Sequence, residues 1–305
     1  MKCAYCEKET KGTKEHIISK SVLDLFPECF LTIDRFRNVI HGNDPTIKDV
    51  CSECNNKKLN YIDTYAKSFI EKYFLERRNE ELTIEYDYTL LQKVLLKYTF
   101  NDLRSKNMDV SFFDNEIIDY IKDKNDTEPK KYITILGGTA INNTPLPDPY
   151  WGNMKLQWIE NPIFRETPIV KCLNYETGEI IFEKNQKIAH FDQLKISSLF
   201  RFHTGQFILL CWDKHISDDE IRVLNIRLAV DYPYTVLSTQ GNDQLPICTD
   251  EMNYVHIEDI HLRYDSLYEI GLMRKYATDG YQERDKLIEA WIEEEKKLAE
   301  EHNRT

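Results

Sequence analysis

Two CxxC pairs near the N-terminus constrain this 305-residue chain more than any other feature. Cys3 and Cys6 enclose Ala4-Tyr5, Cys51 and Cys54 enclose Ser52-Glu53, and 44 residues lie between the pairs. One CxxC alone is compatible with redox chemistry. Two of them, each in a knuckle-like turn, can bring four thiolates to a tetrahedral ion at about 2.3 Å per bond. A structural Zn²⁺ bound by Cys3, Cys6, Cys51 and Cys54 is therefore expected. Cys29, Cys172, Cys211 and Cys248 stand alone and read as core thiols.

The N-terminal residues MKCAYCEKET contain no apolar leader, so a reducing cytoplasm and free thiols are expected. The longest apolar run, FILLCW, is far short of the roughly 20 residues a spanning helix needs. No membrane association is expected. With 41% hydrophobic and 30% charged residues, the composition is that of a folded globular protein rather than a disordered one. The net charge of −12 is unevenly placed. Residues 1–80 hold 14 Lys and Arg against 13 Asp and Glu, which leaves 26 against 39 beyond residue 80. An anion is therefore more readily bound by the N-terminal segment, and the acidic C-terminal domain, residues 127–305, is suited to a protein partner or a small ligand.

After the second knuckle, apolar residues recur at Leu59, Ile62, Ala66, Phe69, Ile70 and Tyr73, which predicts an amphipathic helix starting near Ser52. KEHIIS and parts of FLTIDRFRNVI are β-prone, with a helical turn over SVLDLF between them. Further helices are predicted over residues 87–106 and over FFDNEIIDYIKDK. Beyond Lys131 strand signals dominate: YITIL, KLQWI, PIVKCLNY, EIIFE, LFRF and QFILLCW, with a hairpin turn at Glu176-Thr177-Gly178. SDDE, residues 217–220, has the form of a capping box that opens a helix, and a charged helix is predicted after Tyr281. The expected fold is α+β in three parts: a zinc unit of ββα-metal type over residues 1–80, a helical connector over 81–126, and an α+β domain over 127–305.

CAYC, EHII and VCSECNNKKLNYID together resemble the HNH (His-Asn-His) endonucleases of the ββα-metal class, particularly members with paired zinc knuckles. The resemblance covers residues 3 to 63, about a fifth of the chain. It implies that His16 is the general base that takes a proton from the attacking water. It also implies that Glu15 and Asn55 are ligands of a catalytic Mg²⁺ or Mn²⁺. The chemistry agrees with these roles. A histidine of ordinary pKa, about 6.5, is mostly neutral at pH 7, and carboxylate and amide oxygens suit hard cations while thiolates suit zinc. Lys14, Lys20, Lys57 and Lys58, with Arg35 and Arg37, are the candidate phosphate contacts, and His41 falls within the same segment.

The sequence departs from the family pattern at two places. Ser19 stands where Pro is common, and Thr46 stands five residues before Cys51, where the middle Asn of the motif usually lies. Asn38 and Asp49 are the nearest alternatives for that role. Neighbouring strand residues also point to opposite faces, so Glu15 and His16 share a site only at a strand end or bulge. The leading expectation is a metal-dependent endonuclease that hydrolyses DNA. The competing class is a non-catalytic zinc-knuckle module that binds nucleic acid or protein. A third reading, an effector of a bacterial antiviral defence or toxin system, rests on the nuclease resemblance and the acidic second region.

Overall fold

The computed structural model describes residues 1–27, 32–34, 39–42, 44–76, 81–140, 156–160, 170–173, 180–184, 191–231 and 234–248. The elements in the N-terminal part are β1 (Thr13–His16), α1 (Lys20–Leu23), β2 (Thr32–Asp34), β3 (Val39–His41), β4 (Thr46–Val50), a π-helical turn Cys54–Lys58 and α2 (Asn60–Tyr73). There follow β5 (Leu82–Glu85), α3 (Tyr88–Ser105), α4 (Asn115–Lys122), β6 (Ile133–Ala140), β7 (Leu156–Glu160), β8 (Val170–Leu173) and β9 (Ile180–Lys184). The chain continues through β10 (Leu194–Phe202), β11 (Gly205–Trp212), α5 (Asp218–Asp231), β12 (Thr235–Val236), β13 (Asn242–Leu245) and β14 (Ile247–Cys248). The fold is α+β, as the residue patterns predict.

Local chemistry explains where the helices start. Asp87 caps α3 by accepting from the Leu90 N–H at 2.9 Å, and Asp114 caps α4 from the Ile117 N–H at 3.2 Å. At α5, Glu220 accepts from the Ser217 N–H at 2.9 Å while the Glu220 N–H reaches back to Ser217 Oγ at 3.3 Å. This is the reciprocal capping box that SDDE predicts. The predicted hairpin turn at 176–178 and the predicted helix after Tyr281 lie outside the described residues.

The largest sheet has the order β12-β6-β11-β10-β7, antiparallel throughout, with β14 added parallel to β6. Its central strand β11 is buried along its whole length, and its side chains divide by parity. Phe207, Leu209 and Cys211 join the core shared with α2 and α3, while Ile208, Leu210 and Trp212 join a second core that includes Ile221 and Leu228 of α5. A strand covered on both faces needs apolar residues at every position, and that requirement explains the FILLCW run.

Segment 81–126 does not behave as a connector. Helix α3 is buried on nearly every side, and one continuous core runs from Cys3 through α2, α3 and α4 to Leu245. Tyr98 of α3 meets Phe200 of β10 with ring centroids 6.0 Å apart, and Tyr5 of the first knuckle meets Phe100 of α3 edge-on at 5.3 Å. Such aromatic pairs contribute about 0.5–1.5 kcal/mol each beyond their burial. β5 also pairs antiparallel with β13, which ties residues 82–85 to residues 242–245. The zinc-unit segment, the expected connector and the sheet therefore share one interior.

Candidate metal centre and active-site face

The two knuckles meet as their spacing predicts. One sulfur from each of Cys3, Cys6, Cys51 and Cys54 lies within 4.8 Å of the others, and Cys6 Sγ is 3.7 Å from Cys51 Sγ. Four bonds of about 2.3 Å to a tetrahedral ion place sulfurs about 3.8 Å apart, so this cluster has the dimensions of a metal centre. Among the described residues it is the one group of three or more His, Cys, Asp or Glu side chains arranged to hold an ion.

Backbone geometry builds the cluster. Glu7 adopts a left-handed φ of 58°, and its N–H donates to Cys3 O at 2.8 Å, which closes the first knuckle. The Cys51 N–H donates to Cys3 Sγ at 3.3 Å, and the Cys54 N–H donates to Cys51 Sγ at 3.4 Å. Burial pushes the Cys3 thiol up, but the Cys51, Tyr5 and Cys6 N–H groups outweigh it and bring its pKa down to about 7. Burial, together with the neighbouring thiols, raises Cys54 far above its ordinary range. Four thiols this close resist joint ionisation unless a cation sits among them.

The second knuckle runs directly into the helix. The Leu59 N–H reaches Cys54 O at 3.0 Å, which opens the backbone into a π-helical turn before α2 begins. Asn55 sits in that turn. Its Nδ2 donates to Thr13 Oγ1 at 3.1 Å and to Lys14 O at 3.0 Å, so it fastens the helix start to β1. Among the described residues nothing donates to Asn55 Oδ1.

β1 and β4 form an antiparallel pair in which Glu15 faces Ile47 and His16 faces Thr46, with a register shift between Thr13 and Glu15. His16 is the last residue of β1. Glu15 and His16 nevertheless point to opposite sides. Glu15 is 3% exposed, whereas the His16 side chain is 26% exposed, with Nε2 3.7 Å from Asp44 Oδ2. Burial lowers the His16 pKa below its ordinary value, against the opposing pull of Asp44 and Glu15, so the imidazole is neutral at pH 7.

Glu15 belongs to a buried polar cluster. Its Oε1 lies 2.9 Å from Lys97 Nζ and accepts from Asn101 Nδ2 at 3.3 Å, while Lys97 Nζ also donates to Asp63 Oδ1 at 2.6 Å. Burial works against the Lys97 ammonium, but Asp63 and Glu15 outweigh it and hold its pKa above the ordinary lysine value. None of the described residues donates to Glu15 Oε2. Asp49, one of the two substitutes considered for the middle Asn, instead faces α3 and pairs with Arg104 at 2.6 Å. Asn38, Arg35 and Arg37 lie outside the described residues.

Lys14, Lys57 and Lys58 are exposed and have no carboxylate partner among the described residues. Lys20 differs, because its ammonium is 2.9 Å from Asp24 and 3.0 Å from Asp44. Sequence reasoning missed Asp44, Lys97 and Asn101. A signal for the last two was present: Lys93, Lys97 and Asn101 form a polar row at spacing four along a helix that is otherwise largely apolar.

Fold and centre together define an α+β protein whose N-terminal cysteines can hold a metal ion. Compared with family models, curated proteins and solved structures, the chain matches none. Among the described residues, no helix is long and apolar enough to cross a membrane.

Proposed function

We propose that the chain is a metal-dependent endonuclease of the HNH type that hydrolyses phosphodiester bonds of DNA, with Zn²⁺ in the four-cysteine centre as a structural ion. The observation that carries this reading is the hydrogen bonding of Asn55, adjacent to Cys54, to the strand that ends in His16. The neutral, half-buried His16 takes the proton of the attacking water as the new P–O bond forms and the old one breaks. Asn55 Oδ1 and Glu15 Oε2, which accept from none of the described residues, are the atoms that would hold Mg²⁺ or Mn²⁺, with the Glu15 carboxylate on the side of β1 opposite the His16 imidazole. Such an ion would supply charge stabilisation for the scissile phosphate and the leaving oxygen. Lys14, Lys57 and Lys58 contact neighbouring phosphates, and the acidic C-terminal part, residues 127–305, takes a protein partner or a small ligand.

One observation favours a second reading, a zinc-knuckle module that binds without cutting: the internal ion pair of Glu15 with Lys97. The experiment that separates the two is incubation of purified, zinc-loaded protein with supercoiled plasmid and Mg²⁺ or Mn²⁺. Nicking or linearisation that His16→Ala abolishes supports the nuclease. Plasmid binding without cleavage supports the module.

A further inference from the structure

We infer that α3, which lies outside the segment resembling HNH enzymes, completes the candidate site, with Lys97 and Asn101 acting as positioning residues for the Glu15–His16 peptide; this rests on the nuclease reading above. Asn101 Nδ2 donates to the backbone O of His16 at 3.0 Å and to Glu15 Oε1 at 3.3 Å, so one amide group grips both residues of the pair from behind. Lys97, with no exposed side-chain surface, fixes Glu15 Oε1 at 2.9 Å. Among the described residues, none donates to Oε2.

Asn101 is itself oriented. Its Oδ1 accepts from Tyr5 Oη at 2.9 Å and from Arg104 Nη2 at 2.6 Å, and Arg104 Nη1 pairs with Asp49 of β4 at 2.6 Å. Tyr5 lies between Cys3 and Cys6, so the first knuckle, β1 and α3 meet on one amide side chain, and β4 is joined to it through Arg104. A carboxylate held through a buried hydrogen-bond partner presents its remaining oxygen in one direction, which is how outer partners tune metal ligands.

The test uses the full, zinc-loaded chain with two readouts, Mn²⁺ affinity by titration and amide hydrogen exchange in residues 13–17. Asn101→Ala is the principal variant, and Lys97→Met is compared with Lys97→Arg. Lys93→Met is the control, because Lys93 is an equally buried lysine of the same helix that donates only to the Asp123 and Asp126 carbonyls, each at 2.6 Å. The expected result is faster exchange at β1 and Mn²⁺ binding weakened by about 10- to 100-fold in Asn101→Ala and Lys97→Met, with zinc content unchanged and partial recovery in Lys97→Arg. Lys93→Met leaves both readouts near wild type. Equal effects from Lys93→Met, or unchanged exchange and affinity in Asn101→Ala, overturn the inference. A wild type that binds no Mn²⁺ while Asn101→Ala still loosens β1 overturns the nuclease reading and leaves the grip of α3 on β1 standing.

Discussion

Thr46 stands directly across the β1–β4 ladder from His16. Residues directly opposite in an antiparallel pair share one face of the sheet, so the position five residues before Cys51 is beside the candidate base even though its side chain is not an amide.

His16 is the residue whose loss tests the chemistry most directly. Replacing it with Ala removes the proposed proton acceptor and leaves Cys3, Cys6, Cys51 and Cys54 untouched. Plasmid cleavage is expected to fall by about 10² to 10⁴, with circular dichroism and zinc content unchanged. Wild-type rates in His16→Ala contradict the mechanism.

Cys54→Ala tests the metal centre. Structural zinc in small peptides contributes about 10–16 kcal/mol. Wild-type protein should carry about one zinc per chain by metal analysis. The variant should lose it, along with protection of residues 1–74 from protease.

Glu15→Ala should do two things at once. It removes one candidate ion ligand, so added Mn²⁺ should restore part of any lost cleavage. It also takes a partner from the buried Lys97 ammonium, and breaking a buried pair costs about 3–5 kcal/mol, less here because Asp63 still pairs with Lys97. A melting temperature equal to wild type would show that the Glu15–Lys97 contact contributes nothing to stability.

The lysines should separate by pairing. Lys14→Ala, Lys57→Ala and Lys58→Ala should each weaken DNA binding and reduce the salt-dependence slope by about one. Lys20→Ala should change the slope least, because Asp24 and Asp44 already neutralise that ammonium. Binding isotherms across a salt series distinguish the four variants.

Much of this was legible in the residues. The periodicity of residues 87–106 predicts a helix, and α3 spans Tyr88–Ser105. The CxxC spacing predicts the meeting of the knuckles. What was not legible depends on contacts between distant parts of the chain. Nothing near Glu15 announces that its carboxylate meets Lys97, and nothing in the polarity of 81–126 reveals that its helix is central. Nor does anything near Ser19 announce that its hydroxyl lies 2.9 Å from the Tyr98 hydroxyl of α3. The parity of β11 likewise has meaning only once both of its faces are covered.

The pairing of β5 with β13 has a consequence for how the chain can be divided. Sequence-distant segments interlock: β5, α3 and β6 precede residue 141, while the strands they pair with or pack against, β10, β11 and β13, follow residue 155. A cut between β6 and β7 should therefore not release two independent pieces. Two separately expressed fragments split there should recognise each other and reassemble, whereas a cut at residue 80 would strip α2 and the knuckles of the helix they pack on and leave neither product soluble.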